Sequence, residues 1–296
     1  MTSTPVSTRT AWLVLGSKTL PLDDSVAGYA MIELDLGYPD VRDVTNNRPD
    51  AHGIDDRTRY YSGRVITAKI TAWPGGSMAL DDIAAAFMPF MDPGARPELH
   101  YTKLSNAVGE RVIGLRASGF ASPMIPPHFR EMQLSWVAPD PMLYGSTLHS
   151  VTAWSGSSAG AGRTYSLIFP RVYPAGGGAS STATISTDGD ASIKPFLKIY
   201  GPISGALVGF AVSGAKVVFR SSYIIDAGHW VDVDTERKTA YRDSDRNQPV
   251  LNQLDWSTTV WPVIPPLPTN DVMSLTGTNT SGVTQVQATW RDSYIS

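Results

Sequence analysis

The residues that first invite a chemical reading are Gly156-Ser157-Ser158-Ala159-Gly160, which fit the G-x-S-x-G pattern of a nucleophile elbow. Such an elbow works because a buried apolar strand and a following helix strain the turn that presents the serine hydroxyl. Here a polar, glycine-rich run precedes Ser158, and Tyr165 to Phe169, which reads as a strand, follows it. The pattern is therefore expected to be a chance match in a run of small residues. Asp243-x-Asp245-x-Asn247 opens like a calcium loop, but Gln248 and Leu254 stand where that loop needs glycine and glutamate, so it reads as a polar surface turn. His52, His100, His128, His149 and His229 are scattered, with no H-x-x-x-H or H-E-x-x-H spacing. Asp23-Asp24, Asp55-Asp56 and Asp81-Asp82 are adjacent carboxylates, and neighbours in a strand or helix point apart, which makes them poor acid–base pairs. There is no P-loop and no dinucleotide fingerprint. The expectation is a protein that is not an enzyme, with no catalytic residues, no metal site and no cofactor.

Aromatic residues offer a binding chemistry instead. Trp230, Tyr241, Trp256 and Trp261 lie close together in the sequence, and a β-sandwich can display such rings to the apolar faces of sugars. Trp230, Trp256 and Trp261 form a candidate glycan platform in a carbohydrate-binding or adhesin reading. The plainer alternative is that they are core or proline-packed anchors, which Trp261-Pro262 and Pro265-Pro266 favour.

Composition narrows the partners. The net charge is −3, with 13 Lys/Arg against 16 Asp/Glu in residues 1–150 and 11 against 11 in residues 151–296. Neither half has the basic stripe that reads nucleic acid, so no sequence-specific nucleic-acid binding is expected. The absence of cysteine excludes a disulfide scaffold and thiolate metal ligation. Met1 to Thr10 is polar and lacks the apolar centre of a signal peptide. Apolar stretches such as Gly205 to Val212 fall far short of the roughly 18 residues a spanning helix needs. A soluble protein without membrane insertion is expected.

The elements that must position any site are strands. With 296 residues, 22 prolines and 26 glycines, the chain suits two domains of many short elements. Apolar Ile32, Leu34 and Leu36 alternate with Glu33 and Asp35; Ile66, Ala68, Ile70 and Ala72 alternate with Thr67, Lys69 and Thr71; Met132, Leu134 and Trp136 alternate with Glu131, Gln133 and Ser135. Each pattern puts one face of a strand on a core. From Ser77 to Met88, apolar Leu80, Ile83, Ala84, Phe87 and Met88 fall instead on helical spacing, with Ser77 as N-cap, Asp81 and Asp82 in the first turn, and Pro89 as the stop. The Gly/Ser run from Trp154 to Arg163, with Gly176-Gly177-Gly178 beyond, reads as flexible connection and sets a boundary near residue 150, dividing the chain into 1–150 and 151–296. In the second half Phe196 to Tyr200, Lys216 to Arg220, Tyr223 to Asp226 and Gln285 to Trp290 read as strands. His229 to Val233 and Thr239 to Tyr241 read as a hairpin around Thr235-Glu236-Arg237-Lys238. Between Leu36 and Val65 the chain turns polar and irregular, a long hairpin excursion of the kind that reaches a neighbour. Its Arg57, Arg59, Tyr60 and Tyr61 are candidate subunit-interface residues, since arginine and tyrosine combine apolar area with hydrogen bonding.

Three stretches resemble the distal tail protein family of siphophages. Trp136-Val137-Ala138-Pro139-Asp140-Pro141-Met142-Leu143-Tyr144 is similar to the strand and Asp-Pro-x-x-Tyr sequence that closes the family's N-terminal domain. Gly228 to Thr235, followed by Thr239-Ala240-Tyr241, is similar to its C-terminal hairpin. Leu254-Asp255-Trp256, then Trp261 to Pro266, then Asn270 resembles a third element; here Pro266-Leu267-Pro268-Thr269-Asn270 departs from the family's Pro-Gly-x-Asn. The resemblance implies a mostly β chain: a tail-tube-like N-terminal β-barrel or sandwich domain with one α-helix, and a C-terminal galectin-like β-sandwich. It also implies a structural role as a homo-oligomeric, hexameric ring at the distal end of the virion tail. The implied partners are the tail tube protein and the tail-tip proteins, with assembly in the host cytoplasm.

Overall fold

The computed structural model describes residues 10–42, 46–47, 54–55, 60–102, 109–125, 128–155, 182–266, 270–278 and 284–295. The chain divides into two compact units, residues 1–146 with 294–296, and residues 147–293.

The first unit holds two sheets. One orders its strands Lys18–Pro21, Thr10–Leu15, Glu98–Thr102, Arg111–Gly114, Leu143–Gly145 and Ser293–Tyr294; the other orders Arg116–Ala121, Phe129–Ala138, Arg64–Ala72 and Tyr29–Asp35, with Met124–Ile125 paired to Phe129–Ala138. Both sheets are open, so the barrel alternative gives way to a sandwich: Leu13, Leu99 and Ile113 of one sheet share a core with Ile66, Ile70, Leu134 and Trp136 of the other. Alternation does what it should in Arg64–Ala72, where Ile66, Ala68, Ile70 and Ala72 are buried, and in Phe129–Ala138, where Met132, Leu134, Trp136 and Ala138 are buried. Ile32 departs from it. The ladder to Arg64–Ala72 shifts register between Met31 and Glu33, and this β-bulge turns Ile32 outward, 62% exposed, while Leu34 stays buried.

The helix spans Leu80–Phe87, starting two residues later than an N-cap at Ser77 would place it. Its N-cap is Ala79, with no side-chain cap, rather than Ser77. The reason is tertiary: the Ser77 and Met78 amides donate to the carbonyls of Val26 and Ala27, and Gly76 packs so closely on Ala27 that a Cβ would stand 2.3 Å from its carbonyl oxygen. That docking holds residues 76–78 out of helical geometry. Asp81 does sit in the first turn, where it also pairs with Arg130 at 2.8 Å. Pro89 does not end the helical path but opens a 3-10 turn, Met88–Met91, whose Phe90 is buried. Ile83 and Phe87 are fully buried, each worth roughly 2 kcal/mol of apolar transfer.

The second unit also pairs two sheets around one core. One orders His149–Ser155, Thr284–Trp290, Phe196–Tyr200, Trp230–Asp234 and Thr239–Arg242; the other orders Thr182–Ile185, Asp271–Thr278, Ile203–Phe210 and Lys216–Val218, with Ile224–Ile225 on Ile203–Phe210. Leu197, Ile199, Val231 and Val286 of the first meet Val208, Phe210, Val217 and Leu275 of the second. The strands expected at Lys216 to Arg220 and Tyr223 to Asp226 are shorter, because Phe219 bridges to Leu254 and the chain turns at Ser221. Residues 156–181 connect two strands of this second unit, His149–Ser155 and Thr182–Ile185. Ser158, Tyr165 to Phe169 and Gly176 to Gly178 lie in that segment, outside the described residues; His52, in the first half of the chain, is also outside them.

Candidate assembly arm

The excursion between Leu36 and Val65 is a two-stranded ribbon. Tyr29–Asp35 and Arg64–Ala72 pair antiparallel up to Asp35↔Thr67, and the same register continues at Val41↔Tyr61 and Arg42↔Tyr60. Beyond that, Asn46↔Asp55 and Asn47↔Ile54 continue the ribbon offset by one residue. One sheet thus runs on into an arm. At the usual rise per residue, the stretch from Leu36 to Asn47 can reach at most about 40 Å.

Local chemistry anchors the arm's root. The Gly37 amide donates to the Asp35 carboxylate at 2.9 Å, and Gly37 takes φ +60° with its α-carbon so near Val65 that a Cβ would stand 2.3 Å from the Val65 carbonyl oxygen. Only glycine satisfies both the angle and the approach. The Ser62 amide and hydroxyl both donate to the Asp40 carbonyl.

Among the described residues, the arm turns four large side chains to solvent. Tyr60 and Tyr61, expected as interface residues, are exposed, and so are Tyr38 and Val41, which sequence reasoning passed over. Arg57 and Arg59 lie outside the described residues. The pairing Arg42↔Tyr60 could have exposed Val41 as a neighbour of Tyr61, but it depends on a register that polar composition does not encode.

The expected aromatic platform divides. Trp256 and Trp261 meet with ring centroids 6.3 Å apart, and Trp256 lines an open depression of 490 Å³ with Pro249, Leu251 and Asn252. Trp261 packs against the core of the unit. Trp230 is elsewhere, on the Phe196–Tyr200 and Trp230–Asp234 pair, 6.4 Å from the Tyr200 ring.

The other candidate chemistry is consumed locally. Asp245 accepts hydrogen bonds from the Asn247 amide and from the Asn247 and Gln248 side chains, which hold its carboxyl below the ordinary value. Asp243 accepts the Trp230 amide at 3.0 Å and faces His229 at 2.7 Å; the Trp230 amide is the main cause of its lowered pKa. His100 pairs with Glu110, and His149 with Asp292. Among the described residues no three His, Cys, Asp or Glu are grouped to hold a metal ion, and no helix is long and apolar enough to cross a membrane. The Asp140-Pro141-Met142-Leu143-Tyr144 stretch has a physical basis: the Asp140 carboxylate accepts both the Met142 amide and the Tyr144 hydroxyl, closing the turn.

No family model and no curated protein matches the sequence. The fold is matched among solved structures. The SPP1 Dit protein, described as a paradigm of hub adsorption apparatus in Gram-positive infecting phages, superposes with a TM-score of 0.60 at 11% identity, over 96% of this chain and 98% of that one. A chain of the phage P2 baseplate in its activated conformation with Ca matches with a TM-score of 0.46 at 13% identity, over 95% of this chain and 97% of that one. The chain is mostly β, with the fold of a phage hub protein.

Proposed function

We propose that this chain is a structural protein of a phage tail, forming a homo-oligomeric ring at the distal end that joins the tail tube to the tip and its host-recognition apparatus. The observation that carries this reading is the fold, which matches that of SPP1 Dit over nearly the whole of each chain. A six-membered ring, the tail tube protein and tip proteins as neighbours, and a place in the virion are what the family resemblance adds. Catalysis has no part in this reading, and the function lies in surfaces.

The arm supports self-assembly. A closed ring uses a heterologous interface, in which one surface of a subunit meets a different surface of the next. A ribbon that leaves its own sheet and carries exposed Tyr38, Val41, Tyr60 and Tyr61 reaches beyond its own core. In a ring, burying them against the next subunit would supply the apolar centre that stable interfaces have. Deleting Asn46 to Asp56, or replacing Arg57 and Tyr60 with Ala, is expected to give folded monomers. Sedimentation velocity checks this: unaltered oligomers in both variants would remove the arm from the ring contact.

A further inference from the structure

The sheet that grows into the arm also projects at its other end. The ladder between Arg64–Ala72 and Phe129–Ala138 closes at Arg130↔Ala72. Beyond it a hairpin runs on, pairing Met124 with Arg130 and Ile125 with Phe129. The arm leaves from the opposite end of Arg64–Ala72, past Asp35↔Thr67. One sheet of the first unit thus carries a ribbon at each end of the same strand, about 27 Å apart at the usual rise per residue.

The hairpin tip is apolar and exposed. Met124 is 54% exposed, Phe129 44% and Ile125 41%. Residues 117–129 contain no Asp, Glu, Lys or Arg, in a chain that is 17% charged. Between the two ends the outward positions of the central strands are polar: Thr67, Lys69, Thr71, Glu131, Gln133 and Ser135. The base of the tip is fixed. Arg130 pairs with Asp81 at 2.8 Å and donates to the Leu80 carbonyl at 3.3 Å, and the Glu131 amide donates to the Pro123 carbonyl. An uncharged cluster containing Met and Phe has the composition of a protein-interface centre. The side chains of Met124, Ile125 and Phe129 offer no charge and no strong hydrogen-bonding group to a sugar or a phosphate.

The arm supplies a matching face. Val41 stands opposite Tyr61 across the ribbon, whereas Arg42 stands opposite Tyr60, so one side of the arm is uncharged here and the other carries a guanidinium. Val41 and Tyr61 are both exposed. A heterologous interface is directional: every copy must carry a donor surface and a different acceptor surface. The arm alone is half of such an interface. The tip lies at the other end of the same strand, which gives the unit a head and a tail. That polarity selects a second copy, since any other partner would need one end only. We infer that the tip formed by Met124, Ile125 and Phe129 receives the Val41–Tyr61 face of the arm of the next copy. The assignment rests on the ring reading proposed above.

The sequence contains no cysteine, so an engineered pair reports the contact directly. The full chain carrying Val41→Cys with Ile125→Cys, oxidised where the wild type is oligomeric, is expected to give a ladder of disulfide-linked oligomers on non-reducing gels. Val41→Cys with Thr67→Cys, which moves the second thiol to the polar face, should run as single chains. Two further variants test direction. Val41→Asp with Tyr61→Ala spoils the arm, and Ile125→Asp with Phe129→Asp spoils the tip. Each alone should be a folded monomer, and their mixture should form 1:1 dimers, because one keeps the tip and the other the arm. Thermal unfolding checks each fold; all four positions are exposed. Wild-type oligomers with no ladder, a tip variant that still assembles, or a mixture that stays monomeric would overturn the assignment and leave the ring standing. A wild type that never self-associates would overturn both.

Discussion

Asp271 illustrates how single residues carry this fold. It is fully buried at the start of the Asp271–Thr278 strand and accepts the backbone amides of Val212, Ser213 and Val272 at 2.8–3.1 Å, tying down the turn after Phe210. Burial pushes its carboxyl up, but the hydrogen bonds from Ser213, Val212 and Val272 outweigh burial and leave it below the ordinary 3.8. A carboxyl depressed in the folded state stabilises fully above its unfolded value, and that stability is lost as pH falls through the folded value. Asp271→Asn is therefore expected to cost about 2 kcal/mol at neutral pH and to flatten the acid side of the stability profile, measured by denaturant unfolding between pH 2 and pH 7. Nothing in the sequence singles out Asp271, because its partners Val212 and Ser213 lie far away along the chain. The aspartates of Asp140-Pro141 and Asp234-Thr235 are legible, because each bonds amides within three residues of itself.

Elements follow the same division between local and distant causes. Arg64–Ala72 and Phe129–Ala138 are readable because each has a continuous buried face. The exposure of Ile32 is not, since it arises from a bulge set by pairing with Lys69 and Ile70. The helix is readable from its apolar spacing, but its start is set by residues 26 and 27 rather than by Ser77. Ile203–Phe210 and Asp271–Thr278, both central in their sheet, alternate in burial but not in polarity, since Asp271 faces the core while Leu207 and Val272 face away, so neither reads as a strand from composition. The arm is visible as a polar interruption, while its ribbon form depends on register. Its root supplies a test: Gly37→Ala introduces a Cβ against the Val65 carbonyl at a left-handed φ. It is expected to destabilise the first unit by about 1–3 kcal/mol and to disturb assembly more than the distal deletion disturbs folding, as read by thermal unfolding beside sedimentation.

At the scale of the whole chain, the first unit is completed from both ends of the sequence. Tyr294 and Ile295 rejoin it after the entire second unit. The buried Arg64 donates to the Ile295 carbonyl at 2.6 Å, and the Arg111 guanidinium lies 3.9 Å from the centre of the Tyr294 ring. Burial lowers the Arg64 pKa, with Tyr101, Tyr38 and Asp140 acting against it. Truncation after Ser293 takes away a partner of a buried cation and is expected to destabilise the first unit by about 3 kcal/mol, as measured by urea unfolding. No composition signal announces this return; Ser293, Tyr294 and Ile295 are ordinary residues whose place depends on the topology. The β-rich class, by contrast, follows directly from alternation and punctuation by Gly and Pro. Ring assembly can be read from electron microscopy of the purified chain, with particle counts across concentration. Closed rings of uniform diameter are expected; particles that stay single at every concentration, with the tail tube protein and tip proteins added, would rule the ring out.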